Sequence, residues 1–370
     1  MLEERDKQVV ERIDDELKKL NDKEFTCYFF TLDSKGTPSG TIAYVYEMAL
    51  TLMKMGYNVK MLHNEKEFVG VGDWLGDEYA ELPHANVDTD NIAVSPSDFL
   101  FIPEVLAQLM SLTKNLPCKR IAIMQNFDFL TEYTPLGSQW ANFGISDAIV
   151  SNGKQDELLK EVFPYMSTRV LLPKIQPYFR KGVEPKKLIV NIISKKATDA
   201  NKIIKPFYWK FPVFKWVSFR DLRGFPKEKF AELLREGAIT VWVDDETPFG
   251  YSPLEAMKSG SVVIGKIPDV VPEWMEGVGD TLRSNGIWFE DIHDVHSILY
   301  GVIKAWVRDQ MPSKIYDEME KTVEPFSPQH YEENLKKVIA WVVGERINEF
   351  KAFKKSVENN NLKKGKEGKA

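Results

Sequence analysis

The residues best able to do chemistry lie in one stretch, residues 247–260, which reads Thr-Pro-Phe-Gly-Tyr-Ser-Pro-Leu-Glu-Ala-Met-Lys-Ser-Gly. Residues 239–243, just before it, have the β-branched and aromatic side chains of a strand. The stretch then predicts a loop and a short helix, in which Ser252 is the cap, Glu255 completes a Ser-x-x-Glu capping box and Gly260 supplies a left-handed stop. A loop at the carboxyl end of a strand that opens onto a helix N-terminus is where open α/β sheets bind nucleotides and phosphates.

Glu255 therefore has two interpretations. As a member of a capping box, its carboxylate only satisfies backbone N–H groups of the first helical turn. As a polar group at the mouth of a helix, it also contacts a ligand. Both roles can coexist on one side chain.

The same stretch resembles a known family. The pattern Phe249-Gly250-x-x-Pro253-Leu254-Glu255-Ala256-Met257-x-x-Gly260 is similar to the donor-binding signature of retaining glycosyltransferases with the B-type fold, the large family that includes sucrose synthases and many lipopolysaccharide and capsule transferases. The resemblance implies that Glu255 hydrogen-bonds the ribose of a nucleotide. It also implies that the loop and first helical turn, which include Phe249, Gly250, Tyr251 and Ser252, contact the donor.

One position departs from that family pattern. Family members carry an acidic residue eight positions before the second glutamate, and in this chain Thr247 occupies that position while Glu246 is one residue out of register. In the family the first glutamate lies near the transferred sugar. Thr247 therefore occupies the position of a catalytic residue. This difference from the family concerns catalysis more than nucleotide binding.

Composition narrows the class of protein. The chain has 370 residues, of which 43% are hydrophobic, which is enough for two domains of ordinary size. Its net charge of −6 argues against general nucleic-acid binding, which usually needs a basic surface. With only Cys27 and Cys118, a disulfide framework or a cysteine zinc site is not expected. The absence of a long apolar run or a signal peptide predicts a cytoplasmic protein without a membrane span.

The N-terminal half begins with a βαβ pattern. Residues 25–32 read as a buried strand, residues 41–55 as a helix and residues 58–62 as a second strand. The loop between the first strand and the helix ends in Ser39 and Gly40, and such a loop can be a plain connection. The family resemblance instead implies that these small residues let backbone amides approach the donor diphosphate.

An acceptor side is suggested further along the chain. Residues 120–125 predict another strand, and the segment that ends in Gln125 and Asn126 is similar to a stretch near the acceptor in bacterial family members. These two residues can equally well just end a strand. Asp128 is the nearest carboxylate, and we predict it as the group that orients an acceptor hydroxyl.

The second half starts with a strand over residues 186–193, after which Lys195 and Lys196 follow. In the family an Arg and a Lys near this point hold the donor diphosphate, so the resemblance gives these roles to Lys195 and Lys196. Replacement of Arg by Lys keeps a positive charge and loses a planar, two-pronged contact. The alternative is an ordinary solvated basic turn.

The order of strands and helices predicts an α/β protein, and the resemblance implies two Rossmann-like domains facing a cleft, as in glycosyltransferases of the B-type fold. We divide the chain into an N-terminal helical appendage (1–24), an acceptor-side domain (25–184) and a nucleotide-sugar domain (185–325). A C-terminal helix (326–353) returns to the first domain. Residues 354–370, rich in Lys and Gly, are predicted to be a disordered tail.

Metal sites are not predicted. Asp88 and Asp90 match an Asp-x-Asp metal motif, but no clear apolar strand precedes them, so a polar loop is the better interpretation. His293 and His296 lack a third ligand nearby.

The resulting hypothesis is a glycosyltransferase that moves a sugar from a nucleotide diphosphate sugar to an acceptor hydroxyl with retention of configuration. The donor is a substrate, no cofactor is bound permanently, and the acceptor (a glycan, a lipid-linked molecule or a protein) is left open. One alternative is a catalytically weakened or inactive descendant of the fold, used for binding or structure. A further alternative is a viral-type DNA glucosyltransferase, for which the acidic charge is unfavourable.

Overall fold

The first domain contains a parallel sheet at its centre. The structure, a computed structural model, describes residues 4–244, 249–268, 271–275 and 285–367. Among these residues, seven strands pair in the order β3-β2-β1-β4-β5-β6-β7, and every neighbouring pair is parallel. The strands are β1 (Thr26–Phe30), β2 (Asn58–His63), β3 (His84–Asn86), β4 (Phe99–Pro103), β5 (Lys119–Met124), β6 (Asp147–Val150) and β7 (Ser167–Val170).

The second domain repeats this architecture on a smaller scale. In the described part of the chain its sheet has five parallel strands in the order β12-β11-β10-β8-β9. They are β8 (Lys187–Ser194), β9 (Ser218–Asp221), β10 (Gly237–Val243), β11 (Val262–Lys266) and β12 (Ile287–Phe289). The predicted α/β class with two Rossmann-like domains is therefore confirmed.

Helices connect the strands. The helices that lie before or between the strands of the first sheet are α1 (Glu4–Asn21), α2 (Gly40–Lys54), α3 (Gly72–Leu75), α4 (Asp77–Ala80), α5 (Ala107–Leu112), α6 (Phe127–Tyr133) and α7 (Gly153–Val162). Those that follow are α8 (Ala197–Lys210), α9 (Lys227–Glu236), α10 (Tyr251–Lys258), α11 (Val295–Val307), α12 (Ser313–Val323) and α13 (Pro328–Glu367).

Each sheet is buried because apolar side chains cover both of its faces. All residues of β4 and β5 are buried, which explains why β4 and residues 121–124 of β5 read as continuous rather than alternating apolar runs. In the first core the rings of Phe29 and Phe101, on neighbouring strands, stack with centroids 4.5 Å apart. In the second core all seven residues of β10 are buried. Rigid strands of this kind fix the positions of the loops at their ends.

The last helix returns to the first domain, as predicted. Tyr331, Leu335 and Val338 of α13 are buried in the same apolar cluster as β1 and α2. The first helix, α1, packs along α13, and Lys354 Nζ lies 2.6 Å from Asp14 Oδ1. The backbone of residues 354–367 continues α13, where the sequence predicts a disordered tail. Lys and Glu are good helix formers, so an existing helix can extend through this charged segment.

Several element boundaries follow local sequence signals, and one predicted strand does not. The sequence predicts a helix over 227–236 and a strand over 99–103, and both occur at those bounds. Residues 214–219 also read as a strand in the sequence. This prediction is wrong for residues 214–217, because a short 3-10 helix occupies Pro212–Phe214 and β9 begins only at Ser218. Among the described residues, no helix is long and apolar enough to cross a bilayer.

Candidate functional site

A cleft lies between the carboxyl ends of strands from the two sheets. In the second sheet, β8 and β10 are neighbours whose following chain segments leave in opposite directions, which is the switch point where open α/β sheets bind ligands. Segments after β5 and β6 of the first sheet face this point. The cleft encloses about 300 Å³ and is lined by Pro38, Ser39, Gly40, Thr41, Gln125, Asn126, Phe129, Ser151, Lys195, Phe249 and Tyr251.

The N-terminus of α2 forms one wall of the cleft. Ser39 is the N-cap of this helix, and its Oγ accepts a hydrogen bond from the Ile42 N–H at 3.4 Å. Gly40 and Thr41, the first helical residues, line the cleft beside it. The helix is 15 residues long, and none of the residues in its first turn is acidic. This wall therefore presents the positive end of a helix dipole together with small side chains.

Of the two lysines predicted to hold the diphosphate, one lines the cleft and the other does not. Lys195, directly after β8, lines the cleft, and its Nζ is 3.4 Å from Oδ1 of Asp244 at the end of β10. Lys196 is the N-cap residue of α8; it is exposed and does not line the cleft. The structure thus brings one of these two cations to the cleft.

The motif loop reaches the cleft through two aromatic residues. Phe249 is buried, and its carbonyl accepts a hydrogen bond from Trp274 Nε1 at 2.7 Å. The rings of Phe249 and Tyr251 meet edge to face, with centroids 5.3 Å apart. Trp274 thereby fixes the loop that places Tyr251 against the first domain.

The helix of the motif begins differently from the prediction. Its N-cap is Gly250, in the left-handed region at φ 69°, and no side chain caps the first turn. Ser252 is already the second helical residue, so the predicted Ser252–Glu255 capping box is wrong. The left-handed conformation of Gly250 turns the chain into the helix two residues early, and a Cβ at this position would be 3.0 Å from Trp274 Cζ2. The predicted stop is confirmed, since Gly260 has φ 77°.

Glu255 lines a second, much smaller cavity. This cavity holds about 30 Å³, and Gly40, Tyr178 and Lys227 also line it. Lys227 Nζ lies 2.6 Å from Oε1 of Glu255, and both side chains are largely buried. Within the described residues, Oε2 of Glu255 is buried without a hydrogen-bond partner. A buried carboxylate oxygen of this kind is unusual and is suited to receive a donor from a ligand.

Tyr251 separates the two cavities. It lines both, as does Gly40, and its ring atom Cδ2 is 3.5 Å from the position that a Cβ on Gly40 would take. Burial raises the pKa of the Tyr251 hydroxyl, so this group stays protonated. Glu255 and Lys195 therefore line two different cavities, which share Tyr251 and Gly40 as wall residues.

Asp128, which we predicted to orient an acceptor hydroxyl, and the buried Glu104 differ in where they lie relative to the cleft. Asp128 is exposed in the first turn of α6 and does not line the cleft. Glu104 is fully buried beneath the cleft, and its Oε1 accepts hydrogen bonds from the N–H groups of Gln125 at 2.8 Å and Asn126 at 2.9 Å. Burial raises the pKa of Glu104 to about 7, although these backbone hydrogen bonds oppose the shift. Glu104 thus holds the loop that carries Gln125 and Asn126 into the cleft.

Some of the residues predicted to bind the donor line the cleft together, and others lie outside it. The cleft brings together Ser39, Gly40, Lys195, Phe249 and Tyr251. Glu255 lies in the adjacent cavity, and Gly250 shapes the loop between them. Thr247 lies outside the described residues.

Some residues of the site are missing from the prediction. Phe129 and Ser151 line the cleft, and Lys227 pairs with Glu255. Ser151 directly follows a strand of the first sheet, which is a signal that sequence reading can use. Lys227 has no comparable local signal, because 28 positions separate it from its partner.

The possible metal ligands do not converge. Within the described ranges, no group of three or more His, Cys, Asp or Glu side chains is arranged to hold a metal ion. Asp90 instead belongs to a turn, where its Oδ2 accepts a hydrogen bond from the Asn86 N–H at 2.8 Å. His296 Nε2 lies 3.0 Å from the Lys202 carbonyl oxygen.

Comparison with known proteins gives one curated relative and several similar folds. No protein-family model matches the chain. The alpha-1,6-glucosyltransferase of Actinobacillus pleuropneumoniae serotype 7 (strain AP76) is 25% identical over 307 residues, which cover 78% of this chain and 87% of that protein.

Two solved structures resemble the chain in fold. Sucrose-phosphate synthase from Thermosynechococcus elongatus matches with a TM-score of 0.61 at 10% identity, covering 87% of this chain and 100% of that one. HepE of Anabaena, solved in complex with UDP-glucose, matches with a TM-score of 0.59 at 11% identity, covering 85% of this chain and 99% of that one. At such low identities the likeness shows a shared architecture.

Proposed function

We propose that this chain, whose fold is that of the B-type glycosyltransferases, transfers a sugar from a nucleotide diphosphate sugar to an acceptor hydroxyl. The observation that carries the proposal is the cleft at the switch point of the second sheet. There the N-terminus of α2, the cation Lys195 and the loop of Phe249 and Tyr251 face one another from two domains. A helix N-terminus opposite a lysine is suited to an anion such as a diphosphate.

The diphosphate would lie between the first turn of α2 and Lys195. Backbone N–H groups near Gly40 and the Lys195 ammonium group are donors for its oxygens, and each charge-assisted hydrogen bond contributes roughly 1.5–3 kcal/mol. The same donors stabilise the diphosphate as negative charge develops on it during departure. With departure and attack on one face of the sugar, the anomeric configuration is retained and no protein nucleophile is required.

The ribose would lie beside Glu255. Its Oε2, buried and without a partner among the described residues, is an acceptor for a ribose hydroxyl, while Oε1 stays with Lys227. The cavity of about 30 Å³ is far smaller than a ribose. Donor binding therefore requires Tyr251 to move away from Gly40, which joins the two cavities into one site.

A UDP-sugar is the donor that we propose first. HepE, which shares the fold, was solved with UDP-glucose, and the curated relative is named as a glucosyltransferase. The acceptor hydroxyl would approach from the first domain, past Gln125, Asn126 and Phe129. Asn126 is positioned for this by the buried Glu104.

The proposal is tested with the purified chain and a panel of UDP-, GDP- and ADP-sugars. Thermal shift measures binding, since a ligand that binds only the folded state raises its stability by mass action. Release of the nucleoside diphosphate measures donor hydrolysis and transfer. We expect binding and slow hydrolysis with at least one UDP-sugar. Neither binding nor hydrolysis across the whole panel would overturn the proposal.

Thr247 motivates the alternative of a weakened or inactive enzyme. Loss of one transition-state contact of this kind can cost roughly 2.7–4 kcal/mol, which slows a reaction by two to three orders of magnitude. Thr247→Glu restores the acidic residue of the family pattern. Faster donor hydrolysis in this variant would indicate a weakened but competent site. Tight nucleotide binding without turnover in both proteins would favour the inactive alternative.

A further inference from the structure

A third cavity, an open pocket, lies at the switch point of the first sheet, next to the cleft. Strands β1 and β4 are neighbours there, although the chain runs from β1 to β2 on one side and reaches β4 only after β3. Ligands of open α/β sheets bind at such crevices, outside the carboxyl ends of the strands. Thr31 and Leu32, which follow β1, and Val105, which follows β4, line this pocket.

We infer that this pocket receives an apolar group of the acceptor, an aromatic ring or a short alkyl chain carried close to the hydroxyl that is glycosylated. The inference rests on the function proposed above and names the class of acceptor.

The walls of the pocket are apolar. Ile42 and Val45 of α2 form one side, and Val105, Leu106 and Phe129 form the other. Leu32 is 38% exposed, so apolar surface at the pocket contacts water when no ligand is present. Covering such a concave apolar surface with an apolar group is favourable, by roughly 25 cal/mol for each Å² removed from water.

Three polar groups around the pocket already have partners within the protein. The Thr31 hydroxyl donates to the Leu32 carbonyl at 3.3 Å, and Ser39 Oγ accepts from the Ile42 N–H at 3.4 Å. The Thr41 carbonyl accepts from Gln125 Nε2 at 3.2 Å. A sugar ring placed here would bury hydroxyl groups opposite apolar side chains, which is unfavourable.

The pocket continues into the cleft. Ser39, Thr41 and Phe129 line both, so a group in the pocket and a donor in the cleft would lie on either side of the N-terminus of α2. An acceptor whose hydroxyl reaches into the cleft therefore directs its adjacent substituent into the pocket. This continuity identifies the occupant as part of the acceptor.

The volume of the pocket limits the size of that group. It holds about 180 Å³. An apolar cavity of about 150 Å³ is known to accommodate benzene, so a phenyl ring or a chain of a few carbon atoms fits here. Larger apolar groups would extend into solvent past Leu32.

The test uses three glucosides that share the same hydroxyl groups: methyl, hexyl and phenyl β-D-glucoside. With the donor found in the nucleotide-sugar panel, we expect the KM for the hexyl and phenyl compounds to be about tenfold or more below that for the methyl compound. Saturation-transfer NMR tests the pocket without turnover, and the strongest signals should come from the ring or chain protons. Equal KM values for the three compounds, or NMR signals confined to the sugar protons, would overturn the inference.

Two variants test whether the preference for hexyl and phenyl glucosides arises in this pocket. Leu32→Gln and Val105→Gln each introduce a polar group at the rim, and we expect each to reduce the preference for hexyl and phenyl glucosides by about fivefold or more. Leu136→Gln, at a fully exposed leucine that lines neither this pocket nor the cleft, is the matched control and should keep the preference. If the preference exists but neither pocket variant reduces it, the apolar group binds elsewhere and the inference is wrong. Donor hydrolysis measured without acceptor keeps this outcome distinct from failure of the proposed function.

Discussion

Lys227 and Glu255 form a largely buried ion pair, with 2.6 Å between Lys227 Nζ and Glu255 Oε1, although they belong to successive helices. The ammonium group also lies 5.7 Å from the ring centroid of Phe179 and 5.6 Å from that of Phe230. These contacts hold Lys227 in place against one oxygen of Glu255, whereas Oε2 has no hydrogen-bond partner in the part of the chain that the structure describes. Lys227 is thus a positioning residue for the proposed ribose site.

Lys227→Met should weaken nucleotide binding by about tenfold or more, because Glu255 then loses the partner that fixes its orientation and charge. Isothermal titration with UDP measures the affinity. Lys227→Arg, which keeps the charge, should recover part of it. Lys229→Met on the same helix removes a lysine whose partner, Glu232, is exposed, and it should leave the affinity unchanged. An unaltered UDP affinity in a folded Lys227→Met protein would refute this role.

Gly40→Ala should lower the affinity for UDP without lowering the stability of the fold. A Cβ at this position would lie 3.5 Å from Tyr251 Cδ2, which is an ordinary contact, and alanine favours the helix that begins here. We therefore expect an unchanged or slightly higher melting temperature. We expect UDP affinity to fall by about tenfold, since the methyl group occupies the space through which the diphosphate approaches backbone amides.

The control for Gly40→Ala is Gly301→Ala in α11. Outside its own stretch of helix, no atom of the described residues lies within 4 Å of a Cβ built at that position, so the variant gains helix propensity without new tertiary contacts. It should resemble Gly40→Ala in stability and the wild type in UDP affinity. A loss of stability without loss of binding in Gly40→Ala would show that this glycine has a structural role only.

The buried Glu104 should make stability depend on pH. Its pKa is about 7 in the folded protein, against 4.5 for an unperturbed carboxyl group. The folded state therefore holds a proton on Glu104 that the unfolded state releases as pH rises above 4.5. This contribution to stability is fully present below the unfolded-state pKa and is lost as pH rises through about 7, by on the order of 3 kcal/mol.

Glu104→Gln removes this titration and keeps an oxygen for the N–H groups of Gln125 and Asn126. Urea unfolding between about pH 5 and about pH 8 measures the free energy of unfolding of both proteins. The variant should gain stability relative to the wild type as pH rises and should then reach a constant difference. Glu232→Gln, at an exposed carboxylate, should show no such trend. Parallel pH profiles for wild type and Glu104→Gln would contradict the prediction.

Local patterns predicted most of the architecture, and contacts between distant residues account for what they missed. Helix α9 could be placed because Pro226 precedes it and Gly237 follows it. The Lys227–Glu255 pair spans 28 positions and joins two helices, so no local pattern predicts it. The resemblance of the motif predicted Glu255 as a ligand contact, but it did not reveal that Tyr251 separates Glu255 from the main cleft.

The start of α10 tests how far a contact between distant residues, here Gly250 and Trp274, determines where a helix begins. Gly250 takes φ 69°, and a Cβ there would lie 3.0 Å from Trp274 Cζ2 and 3.2 Å from Pro253 Cγ. Gly250→Ala should therefore lower the free energy of unfolding by about 1–2 kcal/mol from the left-handed backbone alone, and by more if Trp274 has to shift. The midpoint of urea unfolding at constant slope measures the change.

Ser252→Ala is the matched comparison for Gly250→Ala. The two interpretations of where this helix starts differ in which of the two substitutions costs more stability. If Ser252 were the cap, its loss would cost about 1 kcal/mol. In the structure its side chain caps nothing, since the helix begins at Tyr251, so the cost should stay below about 0.5 kcal/mol. A larger loss of stability in Ser252→Ala than in Gly250→Ala would restore the capping box and refute the observed start of the helix.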